Sequence, residues 1–208
     1  MTSVDLDQIG YWSEVKLDIV QKYAAAYSRI MSCQRTIRGH AYIDAFAGAG
    51  VHLAKGSQAF VPGSPLNALS VRPPFTEFHF IDLDGGRAAR LRELTSDRSD
   101  VRVYEDDCNS ALLNHVFPRC EYADYRRALC LLDPYGLSAD WAVLRKAASM
   151  QSIEVFYNFM IMDANMNVLL RDPDRVPEPQ RQRLDLVWGD RTWRDIAYRR
   201  SPGLFHDI

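Results

Sequence analysis

The chain has only four cysteines in 208 residues, Cys33, Cys108, Cys120 and Cys130. None forms a C-x-x-C pair and none has paired histidines nearby. Neither a zinc site nor a disulfide framework is therefore suggested, and reduced thiols with no metal are expected. No apolar run approaches the roughly 18 residues of a membrane span, and Met1 to Gly10 lacks a basic stretch followed by an apolar one. The expectation is a cytoplasmic protein with no membrane association. Nor is there an excess of charge of one sign. With 25 Lys and Arg against 27 Asp and Glu the formal charge is -2, which gives no global attraction to a polyanion. The G-x-x-x-x-G-K-[ST] phosphate loop and the G-x-S-x-G nucleophile elbow are both missing, so P-loop and serine-hydrolase chemistries fall away. There is no internal repeat and no low-complexity tract.

What is present is an ordinary globular composition, 47% hydrophobic and 25% charged, long enough for one domain with a full core. Lys16, Lys22, Arg29, Arg35, Arg38 and His40 make the segment before the first strand locally basic, which leaves nucleic acid open as a partner. From Trp12 to Ile30 the residues Trp12, Val15, Ile19, Tyr23, Tyr27 and Ile30 recur at helical spacing and predict one amphipathic face. Apolar runs at 41–46, 78–84, 101–104, 128–132 and 153–159 read as strands. Helical segments at 87–94, 110–116, 141–148 and 180–188 separate or follow them. This alternation predicts an α/β fold with a doubly wound, mostly parallel sheet. The chain divides into a helical lead (1–40), an α/β core (41–160) and a helical extension of the same domain (161–208). No hairpin is evident after Asn158, so the last strands of a longer sheet are expected to be missing. The edge beside the fifth strand would then be open to a partner or a second copy, giving a dimer.

In an open parallel sheet the positions after each strand face the ligand. The first such turn is Asp44-Ala-Phe46-Ala-Gly48-Ala-Gly50. Two glycines sit where backbone must approach a ligand, after an acid suited to a cationic cofactor. The third glycine of a dinucleotide fingerprint is replaced by Leu53, which disfavours a nicotinamide enzyme; a tight turn with no ligand is the alternative. Asp82 is placed to accept hydrogen bonds from ribose hydroxyls, or else Asp82 or Asp84 caps the next helix. Asp106 and Asp107 hold the corresponding place after the third strand, suited to an adenine amine or, equally, to capping. Asp133-Pro134-Tyr135-Gly136 ends the fourth strand with an acid that can accept from an amine and a tyrosine that can stack on a planar base. Its plainer reading is a proline turn with a buried tyrosine. Gly63-Ser64-Pro65 can shape a loop over cofactor or substrate. It is also a plain helix start, with Ser64 as the cap.

Taken in order, residues 44–50 (DAFAGAG), 80–84 (FIDLD), 106–109 (DDCN) and 131–137 (LLDPYGL) resemble motifs I to IV of class I S-adenosylmethionine-dependent methyltransferases. A closer resemblance is to the three-Cys-motif partner (TcmP) family. Its Lys-bearing helical lead, D-x-F-A-G-x-G turn, G-S-P-L segment, L-D-P-Y-G turn and N-F pair are matched by Lys16, Asp44 to Gly50, Gly63 to Leu66, Leu132 to Gly136 and Asn158-Phe159. The glycine turn, Pro62 to Pro65 and the Asp-Pro turn are also similar to bacterial rRNA adenine N6-methyltransferases, although those carry [DN]-P-P-[YFW] where this chain has one proline. The resemblance implies an S-adenosylmethionine cofactor held by Asp44, Phe46, Gly48, Gly50, Asp82 and Asp107. It places Asp133, Pro134 and Tyr135 at the reacting group and Lys16, Ser64 and Asn158 on the substrate side. It implies methyl transfer to a nitrogen of a nucleobase or nucleic acid, with a separate three-cysteine-motif protein as partner. The alternative is a catalytically reduced, methyltransferase-like binding subunit acting with that partner.

Overall fold

All five segments that read as strands form strands in the computed structural model, which describes residues 7–55 and 59–198. In chain order the elements are β1 (Gln8–Ile9), α1 (Tyr11–Ser32), β2 (Gly39–Asp44), β3 (Val51–Ala54), β4 (Phe60–Pro62), α2 (Ser64–Ser70), β5 (Glu77–Asp82), α3 (Gly85–Leu94) and β6 (Val101–Glu105). Then come α4 (Cys108–Ala111), continued by a π-helical turn at Leu112–Val116, β7 (Arg126–Leu132), α5 (Trp141–Met150), β8 (Ile153–Tyr157), α6 (Ile161–Asn167), α7 (Glu178–Trp188) and α8 (Thr192–Ala197). Two compact units are present, Met1–Asp133 with Val143–Asn158, and Pro134–Ala142 with Phe159–Ile208.

The first unit is built on a five-stranded sheet in the order β6-β5-β2-β7-β8. Every pairing in it is parallel, so the fold is Rossmann-like and doubly wound. The first strand of this sheet, β2, is central, and the chain proceeds outward from it first through β5 and β6, then through β7 and β8. The order therefore reverses between β2 and β7, and the crevice at their carboxyl ends is the switch point where such sheets take ligands. Beyond Tyr157 the described residues form helices and turns and no strand.

Register explains which side chains fill the core. Tyr42 lies opposite Phe78 and Leu129, and these pack with Phe75, Phe80 and Leu131 against Val20, Ala24 and Tyr27 of α1. The alternate residues, Ile43, His79 and Cys130, are opposite one another and point to the other face. Strands buried on both faces are what a parallel sheet requires, and every residue of β2 and β5 is buried.

The face that α1 buries differs from the one its spacing predicts. Tyr27 is buried, but Trp12, Ile19, Tyr23 and Ile30 are exposed, and the buried stripe is Val20, Ala24, Tyr27 and Ser28. The helix carries two apolar stripes. The one with the smaller residues meets the sheet, because alanine and serine allow a closer approach and Ser28 satisfies buried polar groups there. The Ser28 hydroxyl donates to the Pro73 carbonyl at 2.6 Å and lies 2.8 Å from His40 Nε2. Having one proton to give, it leaves the imidazole as donor in that second bond. The strands β1, β3 and β4, which form a separate small sheet, had no signal in the alternation of longer apolar runs.

The second unit has its own core, Leu137, Ala164, Val168, Val176, Leu184, Val187 and Trp193. The Asp163 carboxylate joins its segments by accepting from the Leu137 N–H at 2.8 Å, the Asn167 amide at 2.6 Å and the Arg183 guanidinium. No described helix is long and apolar enough to cross a membrane.

Candidate functional site

The glycine turn after β2 is shaped by two left-handed residues, Gly48 at φ 64° and Gly50 at φ 80°. A Cβ on Gly50 would press against Leu91 at 3.0 Å, whereas one on Gly48 would meet nothing within 4 Å. Gly50 is thus required by helix packing, while Gly48 leaves open space. The Gly50 carbonyl accepts the Gly63 N–H at 2.8 Å, tying this turn to the start of α2.

Asp82, at the end of β5, braces the same turn. Its Oδ2 accepts the Gly48 N–H and its Oδ1 accepts the Asp84 N–H, both at 2.8 Å. Each oxygen retains one lone pair, so a ribose hydroxyl can still be accepted, but the carboxylate has a structural task first. Capping of α3 belongs to Asp84, whose side chain accepts the Arg87 N–H. Asp107 caps α4 through Asn109 and Ser110. It stays exposed, so capping does not take it out of reach of a ligand.

Asp44 is the exceptional residue. It is fully buried, and its Oδ1 accepts the Phe46 N–H at 3.2 Å. Its Oδ2 has no hydrogen-bond partner among the described residues. Burial raises the carboxyl to about 7, against the Ser64 hydroxyl and the Phe46 N–H, which favour ionisation, and with Asp133 and Asp82 adding to the rise. A buried carboxyl oxygen left without a partner costs on the order of 1–3 kcal/mol, and such an orphan calls for an explanation such as a ligand. Phe46 contributes its backbone; its ring is half-buried. Ser64 is the first residue of α2 and not its cap. That place falls to Gly63, with Pro65 in the first turn, which leaves the Ser64 hydroxyl free to face Asp44.

Across the switch point stands Asp133, just beyond β7. Its Oδ2 is 2.6 Å from Lys16 Nζ of α1, and its Oδ1 accepts the Asn158 amide at 2.7 Å just beyond β8. Three residues far apart in sequence thus meet: Lys16 and Asn158, expected on the substrate side, both engage Asp133. Pro134 and Tyr135 belong to the second unit, where the Tyr135 side chain is exposed, contrary to a buried tyrosine turn.

One residue of this region carried no sequence signal. His52, on β3, places its Nε2 where a Cβ on Gly63 would come within 3.1 Å, and its Nδ1 has no partner among the described residues. Burial lowers its pKa. A single histidine in a four-residue strand is indistinguishable by sequence from a solvated one. Among the described residues no cluster of His, Cys, Asp or Glu is arranged to hold a metal ion. Cys33 is exposed, Cys108, Cys120 and Cys130 are buried, and none of the four is in a disulfide.

Comparison with known protein families gives no match, and no curated protein matches. Among solved structures the chain is similar to protein LPL1258 of Legionella pneumophila, described as a DUF519 family member. Identity is 14% and the TM-score is 0.48, with 67% of this chain and 66% of that one covered. The chain thus matches slightly under two thirds of that protein's length.

Proposed function

We propose that the switch-point crevice binds S-adenosylmethionine and that the protein transfers its methyl group to a nitrogen of a nucleobase or nucleic acid. The observation that carries this reading is the orphaned, buried Oδ2 of Asp44 beside a glycine turn with room at Gly48. A cationic ligand answers both features, since it supplies the missing partner and favours the ionised carboxylate. The residues present fit the cofactor. Asp44 and the glycine turn would hold its methionine portion, the free lone pairs of Asp82 its ribose, and Asp107 its adenine. When bound, it supplies a methyl group on a sulfonium whose departure as a neutral thioether needs no acid.

The work left to the protein is positioning. Asp133 is fixed from both sides by Lys16 and Asn158, and each of its oxygens keeps a lone pair for an N–H of the acceptor. Accepting that N–H orients the nitrogen lone pair. The resemblance to the three-Cys-motif partner family adds a separate three-cysteine protein as partner.

A second reading, a binding subunit with reduced turnover, is favoured by the engagement of both Asp133 oxygens. Incubation with cofactor tritiated in the methyl group and total nucleic acid separates the two. Label in a digested nucleoside, lost in Asp133→Ala, supports the enzyme. Calorimetric binding of the cofactor with no label transferred, and co-purification with the partner, supports the subunit. No cofactor binding at all refutes both.

A further inference from the structure

At the amino ends of the sheet strands, away from the crevice, arginines gather around tyrosines. Gly39 and His40 at the start of β2 lie opposite Arg126 and Arg127 at the start of β7. Arg127 stacks over the Tyr122 ring at 3.9 Å from its centroid, and Arg38 over the Tyr125 ring at 5.3 Å. The Arg38 N–H also donates to the Tyr125 carbonyl at 2.9 Å. Both tyrosines are about half exposed, at 51% and 48%. On the opposite face of the sheet, Glu77 holds Arg102 at 3.0 Å, Arg119 at 2.8 Å and Arg126, so that carboxylate engages those three guanidiniums and not Arg38 or Arg127.

We infer that this arginine–tyrosine face binds the backbone and bases of single-stranded nucleic acid. Neither Arg38 nor Arg127 ion-pairs with an acid among the described residues; their recorded contacts are tyrosine rings and backbone. A guanidinium held over a ring by cation–π attraction, with no acid to satisfy it, keeps N–H donors for a phosphate. Arginine planes and half-exposed tyrosine rings also offer surfaces on which unpaired bases stack. A lipid headgroup or an acidic peptide would use the charge but not the rings. The face lies about 20 Å from the crevice, one six-residue strand away. It is therefore a separate anchor for nucleic acid, and it stands or falls independently of methyl transfer.

The test is fluorescence anisotropy with a labelled single-stranded RNA of about 12 nucleotides, titrated at several salt concentrations. The double variant Arg38→Glu/Arg127→Glu is compared with the wild type and with Arg145→Glu, an exposed arginine on α5. Circular dichroism checks the fold, and Arg38→Gln/Arg127→Gln gives a milder change. Expected are a loss of affinity of about 10- to 100-fold in the double Glu variant and a salt slope shallower by about 1.4, for two phosphates lost. Arg145→Glu should stay near wild type, and cofactor binding should be the same in all variants. The inference is overturned by absence of RNA binding in the wild type, by equal losses in the double variant and Arg145→Glu, or by tighter binding to phosphatidylserine vesicles than to RNA.

Discussion

The orphaned carboxyl of Asp44 makes cofactor binding depend on pH in a calculable way. Its pKa of about 7 in the free protein means that at pH 6.0 roughly 9% of molecules carry the charge, and at pH 7.5 roughly 76%. A cationic amine bound beside it needs the ionised form, so binding releases a proton and affinity rises with pH. The two fractions predict about an eightfold rise between pH 6.0 and 7.5, or about 1.2 kcal/mol. Above that range the amine itself, with a pKa of about 7.7–8.0 in an α-amino group, begins to lose charge and the gain ends. Isothermal titration with S-adenosylmethionine in two buffers of different ionisation heat measures both affinity and the protons released. Asp44→Asn should bind weakly and with a flat profile. The same residue affects folding with the opposite preference. A raised carboxyl stabilises the fold below about pH 4 and loses that contribution as pH rises through about 7, so the unliganded wild type should weaken over this window relative to Asp44→Asn. Affinity that is constant from pH 6.0 to 7.5, or an Asp44→Asn variant with the wild-type slope, would refute the reasoning.

Two further predictions concern the fold. Phe78 is fully buried among Phe75, Phe80 and the α1 side chains, so Phe78→Ala should cost about 3–5 kcal/mol, read as a lower urea midpoint with an unchanged m-value. Gly189 closes α7 at φ 97°, and a Cβ there would lie 2.3 Å from the Trp141 ring. Gly189→Ala should therefore destabilise the second unit by about 1–3 kcal/mol, seen as faster proteolysis between 159 and 198 while the first unit stays resistant; an unaltered cleavage rate would contradict this.

The α/β class was legible because a parallel sheet buries both faces of its strands and so writes them as continuous apolar runs, as at Phe78 to Ile81 and Ala128 to Leu132. The strand-end acids were legible for the same reason, since Asp44, Asp82 and Asp133 each stop such a run. The helical face of α1 was not, because periodicity marks which residues share a stripe and not which stripe meets the sheet. Trp12 and Ile19 are more hydrophobic than Ala24 and Ser28, yet the small residues went inward. Strands β3 and β4 were hidden by their shortness and half-exposed residues. The charge cluster at Glu77 was hidden because Arg102 and Arg126 reach it only through strand register, and Arg119 from the helical turn at Phe117–Arg119.

Asp82 shows why a strand-end acid should not be judged by ligand affinity alone. The position suits a ribose, yet its two oxygens already hold the N–H groups of Gly48 and Asp84, so any substitution loosens the glycine turn before a ligand arrives. Weaker cofactor binding in Asp82→Ala would follow from either role. Hydrogen exchange of the unliganded protein separates them. Asp82→Ala leaves the Gly48 amide without its acceptor, and its protection should fall by about tenfold or more, as for the loss of a hydrogen bond to a charged group worth about 1.5–3 kcal/mol. Asp44→Asn, which leaves the Gly48 to Asp82 bond untouched, should keep that protection and still lose the cofactor. If Gly48 is as protected in Asp82→Ala as in the wild type, Asp82 does not brace the turn, and its effect on binding is that of a direct contact.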